Sequence, residues 1–148
     1  MRWVVLGVAA VLAGCAAPAE RPGWVRPGLD SAWLDGGGVR WPPDDGFRGA
    51  AVPMVLPEGV LLDRFGGDGG RFLSPKGAAF AARALPSVCR DQPYAVFRVA
   101  RPLPVWIGRA APWFGEPGGA TQVQTDATVA QLLVDGVLVR MPPAAAPC

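Results

Sequence analysis

The stretch "YAVFRVARPLPVWIGRA", Tyr94 to Ala110, decides the fold. Its first half alternates. Tyr94, Val96 and Arg98 point one way and Ala95, Phe97 and Val99 the other, which is the period of a strand. Apolar residues on both sides predict burial on much of both faces. "LPVWIGRA", Leu103 to Ala110, reads as a second strand. Pro104 has no N–H to give to a ladder, so it pushes that strand toward a sheet edge.

Working outward, "GVLLDRF" (Gly59–Phe65) is a short strand, and "GGDGG" (Gly66–Gly70) is a loop or tight hairpin. "AAFAARAL" (Ala78–Leu85) is Ala-rich and predicts a short helix stopped by Pro86. "TQVQT" (Thr121–Thr125) alternates again. Asp126 is placed to cap a helix over "ATVAQLLVD", with Val129, Leu132 and Leu133 on one face and Gly136 as its stop. "VLVRM" (Val137–Met141) is a last strand. Strand, small helix, strands, helix, strand is the order of an α+β fold with a compact, mostly antiparallel sheet and short helices. A Rossmann fold would need long crossover helices and a Gly-x-Gly-x-x-Gly turn, and neither is present.

Composition agrees with one domain. Of 148 residues, 51% are apolar, enough for a core, and the 20 glycines and 17 prolines punctuate the apolar runs. The formal charge is only +2, and no basic block carries interleaved aromatics, so nucleic acid is not an expected partner. There is no histidine, which excludes His-based metal sites and Ser-His-Asp triads. No metal is expected.

The first residues have a separate logic. "MR" is a basic head, "WVVLGVAAVLA" is too short to span a bilayer, and "LAGC" ends on Cys15. That is the pattern of a bacterial lipoprotein signal over residues 1–14, with Cys15 lipidated and the protein exported to the cell envelope, at the outer membrane or cell surface. An ordinary secretory leader is the alternative. Residues 15–40 then read as a tether and lead-in, 41–141 as the domain and 142–148 as a tail. In an oxidising compartment Cys89 and Cys148 can pair, or stay as two free thiols.

Two constellations carry chemistry. In "APWFGEPGGATQ" (Ala111–Gln122), glycines and prolines shape a loop that delivers one carboxamide, Gln122. A neutral amide is no base, but it can orient a water or a ribose hydroxyl. On spacing alone it reads as a solvated strand residue. In "DRFGGDGGRFLSP", Arg64 precedes a glycine loop, where a guanidinium can clamp a diphosphate, and Phe72 can stack on a flat ring. The structural alternative pairs Arg64 with Asp63 or Asp68 and puts Phe72 in the core. Arg83 in "RALP" has the same ambiguity, with a place on a helix surface as its structural reading.

Together, "DRFG…GRFLSPKG…RALP…YAVFRV…PLPV…APWFGEPGGATQVQT…LLVDGVL" resembles the tuberculosis necrotizing toxin domain family over roughly residues 41–141. The resemblance implies a secreted or surface NAD glycohydrolase that releases nicotinamide from NAD or NADP without a cofactor or a catalytic metal. It implies that Arg64 holds the dinucleotide phosphates and that Phe72 lines the nicotinamide side. Arg83 is expected near the site, and Gln122 at the scissile bond. Trp113 and Phe114 are expected as the apolar wall of the pocket, or in the core. Ala95 stands where some members have a histidine, Val123 where an aromatic often follows the glutamine, and Ala120 where a glycine is usual. The implied protein is a lipid-anchored NAD(P) glycohydrolase, a toxin with an immunity protein as partner. The alternative is a catalytically weak or inactive envelope lipoprotein that keeps the fold and binds nucleotide. A third reading, ADP-ribosyl transfer, wants a catalytic glutamate, and Glu116 is the only acid in the key loop.

Overall fold

A computed structural model describes residues 21–148, so the leader and Cys15 lie outside the described residues. Besides four single-turn 3-10 helices, nine strands and one short α-helix follow in order among the described residues. They are β1 (Leu34–Asp35), β2 (Gly38–Val39), β3 (Val52–Leu56), β4 (Leu61–Phe65), β5 (Phe72–Pro75), β6 (Tyr94–Val99), β7 (Leu103–Arg109), β8 (Thr121–Gln124), α1 (Val129–Val134) and β9 (Leu138–Arg140). The first two make a small ribbon; the other seven form one sheet in the order β3-β7-β8-β5-β4-β6-β9, with every neighbour antiparallel.

Alternation then sorts the side chains. Leu62 lies opposite Phe97, and Leu73 and Ile107 lie opposite Val123. With Leu56, Val99, Leu103, Val105 and Leu138, these residues build the main core, which Val129 and Leu132 of α1 close. The intervening residues of the central strands, Phe72, Gln122, Gln124 and Trp106, therefore share the other face. The second face carries the cavity.

Several expectations change in detail. β7 is paired on both sides rather than at an edge: β3 meets it from Leu103 to Ile107, and β8 from Trp106 to Arg109. Pro104 sits in the half that β8 does not reach, so its missing N–H breaks no bond with β8. The expected helix at 78–85 is only a tight turn over Ala81–Arg83, ended by Ala84 at φ 52°. The cap of α1 is Thr128, whose hydroxyl accepts from the Gln131 amide at 3.2 Å, and not Asp126. Leu133 is only half-buried. β3 was not expected, because four of its five residues are exposed and give no alternation.

Residues 21–40 are not an isolated connector. Val25 and Leu29 pack with Phe114 in a second core that also gathers Trp33, Leu34, Val39 and Trp113. At the other end, Cys89 and Cys148 are joined as a disulfide with Cα atoms 5.8 Å apart. The bridge closes a separation of 59 residues. On the chain-entropy model such a loop contributes about 4 kcal/mol. It also fixes the tail beside the segment that forms one wall of the cavity.

Candidate active site

The floor of the cavity is the second face of the sheet. Phe72 pairs with Gln124 across β5 and β8, and Gln122 follows two residues away on the same side. Arg64 and Phe65 come from the end of β4. Gly46, Pro42, Trp41 and Trp24 close it from the lead-in side, and residues Arg83 to Ser87 with Gln92 complete the wall. The enclosed space is about 500 Å³ and mostly apolar in lining, within the range of small-molecule sites. Gln122, Arg64, Phe72 and Arg83 thus meet in one cavity.

Gln122 is held by a turn. Its Nε2 donates to the Asp45 carbonyl at 2.8 Å. Asp45 Oδ2 accepts from Gln124 Nε2 at 3.0 Å. The turn packs down because Phe47 lies over Gly108, opposite Gln122; a Cβ at 108 would stand 2.7 Å from the Phe47 ring.

Arg64 is wrapped by the glycine loop. Its Nε donates to the Gly67 carbonyl at 2.8 Å and its Nη1 to that of Phe72 at 2.7 Å. A Cβ at residue 70 would fall inside the guanidinium, so Gly70 is the residue that admits it. Burial lowers the Arg64 pKa from its ordinary value, and the charge of Asp68 partly opposes this. A guanidinium has five N–H donors. Two are used on the loop, and the remainder can meet an anion.

Arg83 has a different task. Its Nη2 lies 2.6 Å from Asp63 Oδ1, with side chains 6% and 0% exposed. Nε and Nη2 both donate to the Ala78 carbonyl, at 3.1 and 2.8 Å. The guanidinium also stands 4.9 Å over the Phe65 ring. Asp63 Oδ1 has this ion pair but no aligned hydrogen bond, so the contact is Coulombic. Asp63 Oδ2 accepts from the Tyr94 hydroxyl and the Gly77 amide, each at 2.8 Å. Burial, then the hydrogen bond to Asp63, pushes the Tyr94 pKa up to about 12. Arg83 reaches the cavity, but its charge is spent on Asp63 beneath it.

Trp113 and Phe114, expected as the pocket wall, do not line the cavity. They belong to the second core, and the Trp113 indole donates to the Arg40 carbonyl at 2.8 Å. Phe114 takes φ 53° and Gly115 φ 75°, a turn closed by the paired Trp113 and Glu116. A buried Phe at positive φ is strained, and burial of its ring overrides that cost. Arg26 bonds both the Phe114 carbonyl and Glu116. The loop therefore clamps the lead-in, and the lead-in supplies the aromatic wall.

Trp24, Trp41 and Asp45 were not among the expected site residues. The two indoles are nearly parallel, with centroids 6.3 Å apart, and Trp41 meets Phe114 edge-on at 5.6 Å. One signal was available: a plain tether has no use for Trp24, Trp33 and Trp41 within eighteen residues.

The fold and site define a small antiparallel α+β domain whose one sheet face and lead-in enclose a cavity holding a carboxamide, a guanidinium and stacked aromatics. The chain belongs to the tuberculosis necrotizing toxin family, whose model matches residues 55–141. It is 37% identical over 114 residues to the conidial surface nicotinamide adenine dinucleotide glycohydrolase nadA of Aspergillus fumigatus. That alignment covers 68% of this chain and 49% of the relative, so the chain spans about half the fungal protein. Tuberculosis necrotizing toxin, solved in complex with its immunity factor, superposes with a TM-score of 0.57 at 26% identity. The superposition covers 68% of this chain and 61% of the toxin.

Proposed function

We propose that this chain hydrolyses the nicotinamide–ribose bond of NAD or NADP. The observation that carries the proposal is the convergence of Gln122, Arg64 and Phe72 on one aromatic-walled cavity. The substrate's diphosphate lies on the free donors of Arg64, and its flat ring lies against Phe72. Arg83, neutralised by Asp63, stiffens the wall and leaves the anion to Arg64.

The chemistry asks little of the protein. The C1′–N bond breaks with its electron pair going to the pyridinium nitrogen, so nicotinamide leaves neutral. The sugar passes through an oxocarbenium-like state, as in other glycosyl cleavages. Water adds at C1′ and loses a proton, giving ADP-ribose. One Nε2 proton of Gln122 is committed to the Asp45 carbonyl, which fixes the carboxamide so that Oε1 can accept from a ribose hydroxyl or from the incoming water.

The leader and Cys15 extend the reading to an exported, lipid-anchored envelope protein. A toxin role and an immunity partner follow the same reading, by analogy with the complex of the solved relative. A binding-only protein is the second reading, favoured by Ala95, which sits opposite Arg64 on β6 and puts a methyl group where some relatives place a histidine.

The test is nicotinamide release from NAD by the purified protein with Gln122→Ala beside it. The expected result is turnover that falls about 100-fold or more in the variant, with the unfolding midpoint unchanged. Nucleotide binding without any nicotinamide release favours the second reading. Parent-rate turnover by the variant refutes the role of Gln122.

A further inference from the structure

Asp44, Asp45 and Gly46 take φ of 52°, 52° and 78°, three left-handed residues in a row. Two of them are not glycine. Each such residue costs on the order of 1–3 kcal/mol in general, less for Asp than for bulkier residues, and persists only where its surroundings over-determine it. The surroundings here do so. The Gly46 amide donates to the Pro43 carbonyl at 2.9 Å, Phe47 to Asp44 at 3.0 Å, and Ala111 to the Gly46 carbonyl at 2.8 Å. Gln124, 8% exposed, grips the Asp45 carboxylate from below.

The strained turn brings the Asp45 carbonyl to face Gln122 at the cavity, beside Gly46. A carboxamide is nearly symmetric in shape, and its two ends swap donor for acceptor when it flips. A backbone carbonyl only accepts. Opposite Asp45, the Gln122 amide can therefore present only Nε2 and must leave Oε1 on its other side. The alternation of β8 makes this possible: Gln122 and Gln124 share a face, so one meets the Asp45 backbone and the other its carboxylate.

We propose that Asp45 is the positioning residue of the site, fixing which atom of the Gln122 carboxamide is offered to substrate. The proposal rests on the glycohydrolase reading above for its catalytic consequence, but not for its geometry. Asp45 touches no reacting atom. It acts through Gln122, and Gln124 holds it in place.

The experiment compares the full chain with Asp45→Ala and Asp45→Asn by NAD turnover and by side-chain amide NMR. Asp45→Ala removes the anchor on Gln124 and releases the turn. The expected result is a kcat lower by roughly 30- to 100-fold with KM changed less than about threefold, and faster solvent exchange of the Gln122 amide protons. Asp45→Asn keeps an acceptor for Gln124, so its kcat stays within about threefold of the parent and the exchange stays slow. Asp45→Ala with parent kcat and parent exchange overturns the proposal. So does a uniform loss in both variants that follows their unfolding midpoints, since that is a structural role only. If the parent releases no nicotinamide, the functional reading falls, and the amide exchange alone decides whether Asp45 orients Gln122.

Discussion

Replacing Arg83 by alanine should cost stability before it costs chemistry. Arg83 and Asp63 have side chains 6% and 0% exposed and stand 2.6 Å apart. Removing one partner of a buried pair leaves the other charge stranded in low dielectric, at about 3–5 kcal/mol. The two donations to Ala78 and the stack over Phe65 are lost as well. Net stability of a domain is only about 5–15 kcal/mol, so the variant gives up a large share of it. For a chain of this size that corresponds to a Tm lower by roughly 10–20 °C. Arg140 and Asp68 supply the internal control. Their side chains are 45% and 36% exposed, and an exposed pair contributes about 0–1 kcal/mol. The assay is thermal and urea unfolding of Arg83→Ala, Arg140→Ala and the double variant Arg83→Met/Asp63→Leu. The double variant removes the stranded carboxylate and should recover part of the loss, short of the parent because the Tyr94 hydroxyl and Gly77 amide lose their acceptor. If Arg83→Ala unfolds within about 3 °C of the parent, the pair is not the buried brace described here.

Gly70→Ala should separate binding from folding. The new Cβ displaces the end of a flexible side chain and not backbone, but breaks its bonds to the Gly67 and Phe72 carbonyls, so stability falls by about 1–3 kcal/mol, while the displaced Arg64 guanidinium raises KM for NAD by about tenfold or more. Calorimetric unfolding beside steady-state kinetics checks both halves. Tyr94 sets an alkaline limit: its folded pKa of about 12 lies above the unfolded value near 10, so its contribution is complete below pH 10 and is lost as the pH rises toward 12. Urea midpoints at pH 9 and 11 should show that loss in the parent and a smaller one in Tyr94→Phe.

The strands with strict alternation were legible in the sequence. Thr121–Gln124 shows why: a strand whose Val123 faces the core and whose Gln122 faces the cavity carries its environment in its own pattern, and in Tyr94–Val99 the apolar residues on both faces announce a strand buried on much of each. β3 was hidden because its side chains meet solvent on both faces, and such a strand is specified by its partner β7 and not by its own periodicity. The helix expected at 78–85 failed for a tertiary reason. Its Ala78 carbonyl is taken by the Arg83 guanidinium, and Ala84 turns left-handed, so alanine propensity is overridden by a buried ion pair. Gln122, Arg64, Phe72 and Arg83 could be named only through the family resemblance of the blocks around them, since spacing alone gives each of them a structural reading. Asp45 could not, because its link to Gln122 spans 77 residues and runs through a backbone carbonyl that any residue possesses.

The glycine-rich loop before Gln122 answers a different question from the one its composition raises. Gly118 takes φ 64°, and a Cβ there would stand 2.6 Å from the Ala111 carbonyl, so the loop is folded tightly on itself and meets the cavity at its two ends, Ala111 and Gln122. What it holds is the lead-in, through the Phe114 ring and the Arg26–Glu116 pair. The lead-in in turn brings Trp24, Trp41 and the Asp45 turn over the sheet. Residues 55–141 carry the family's pattern, yet on their own they leave Gln122 without the carbonyl that orients it and the cavity without its indole wall. The site is therefore completed by a segment whose sequence has no clear period, fixed by a loop whose own strain at Phe114 is tolerated because the ring is buried.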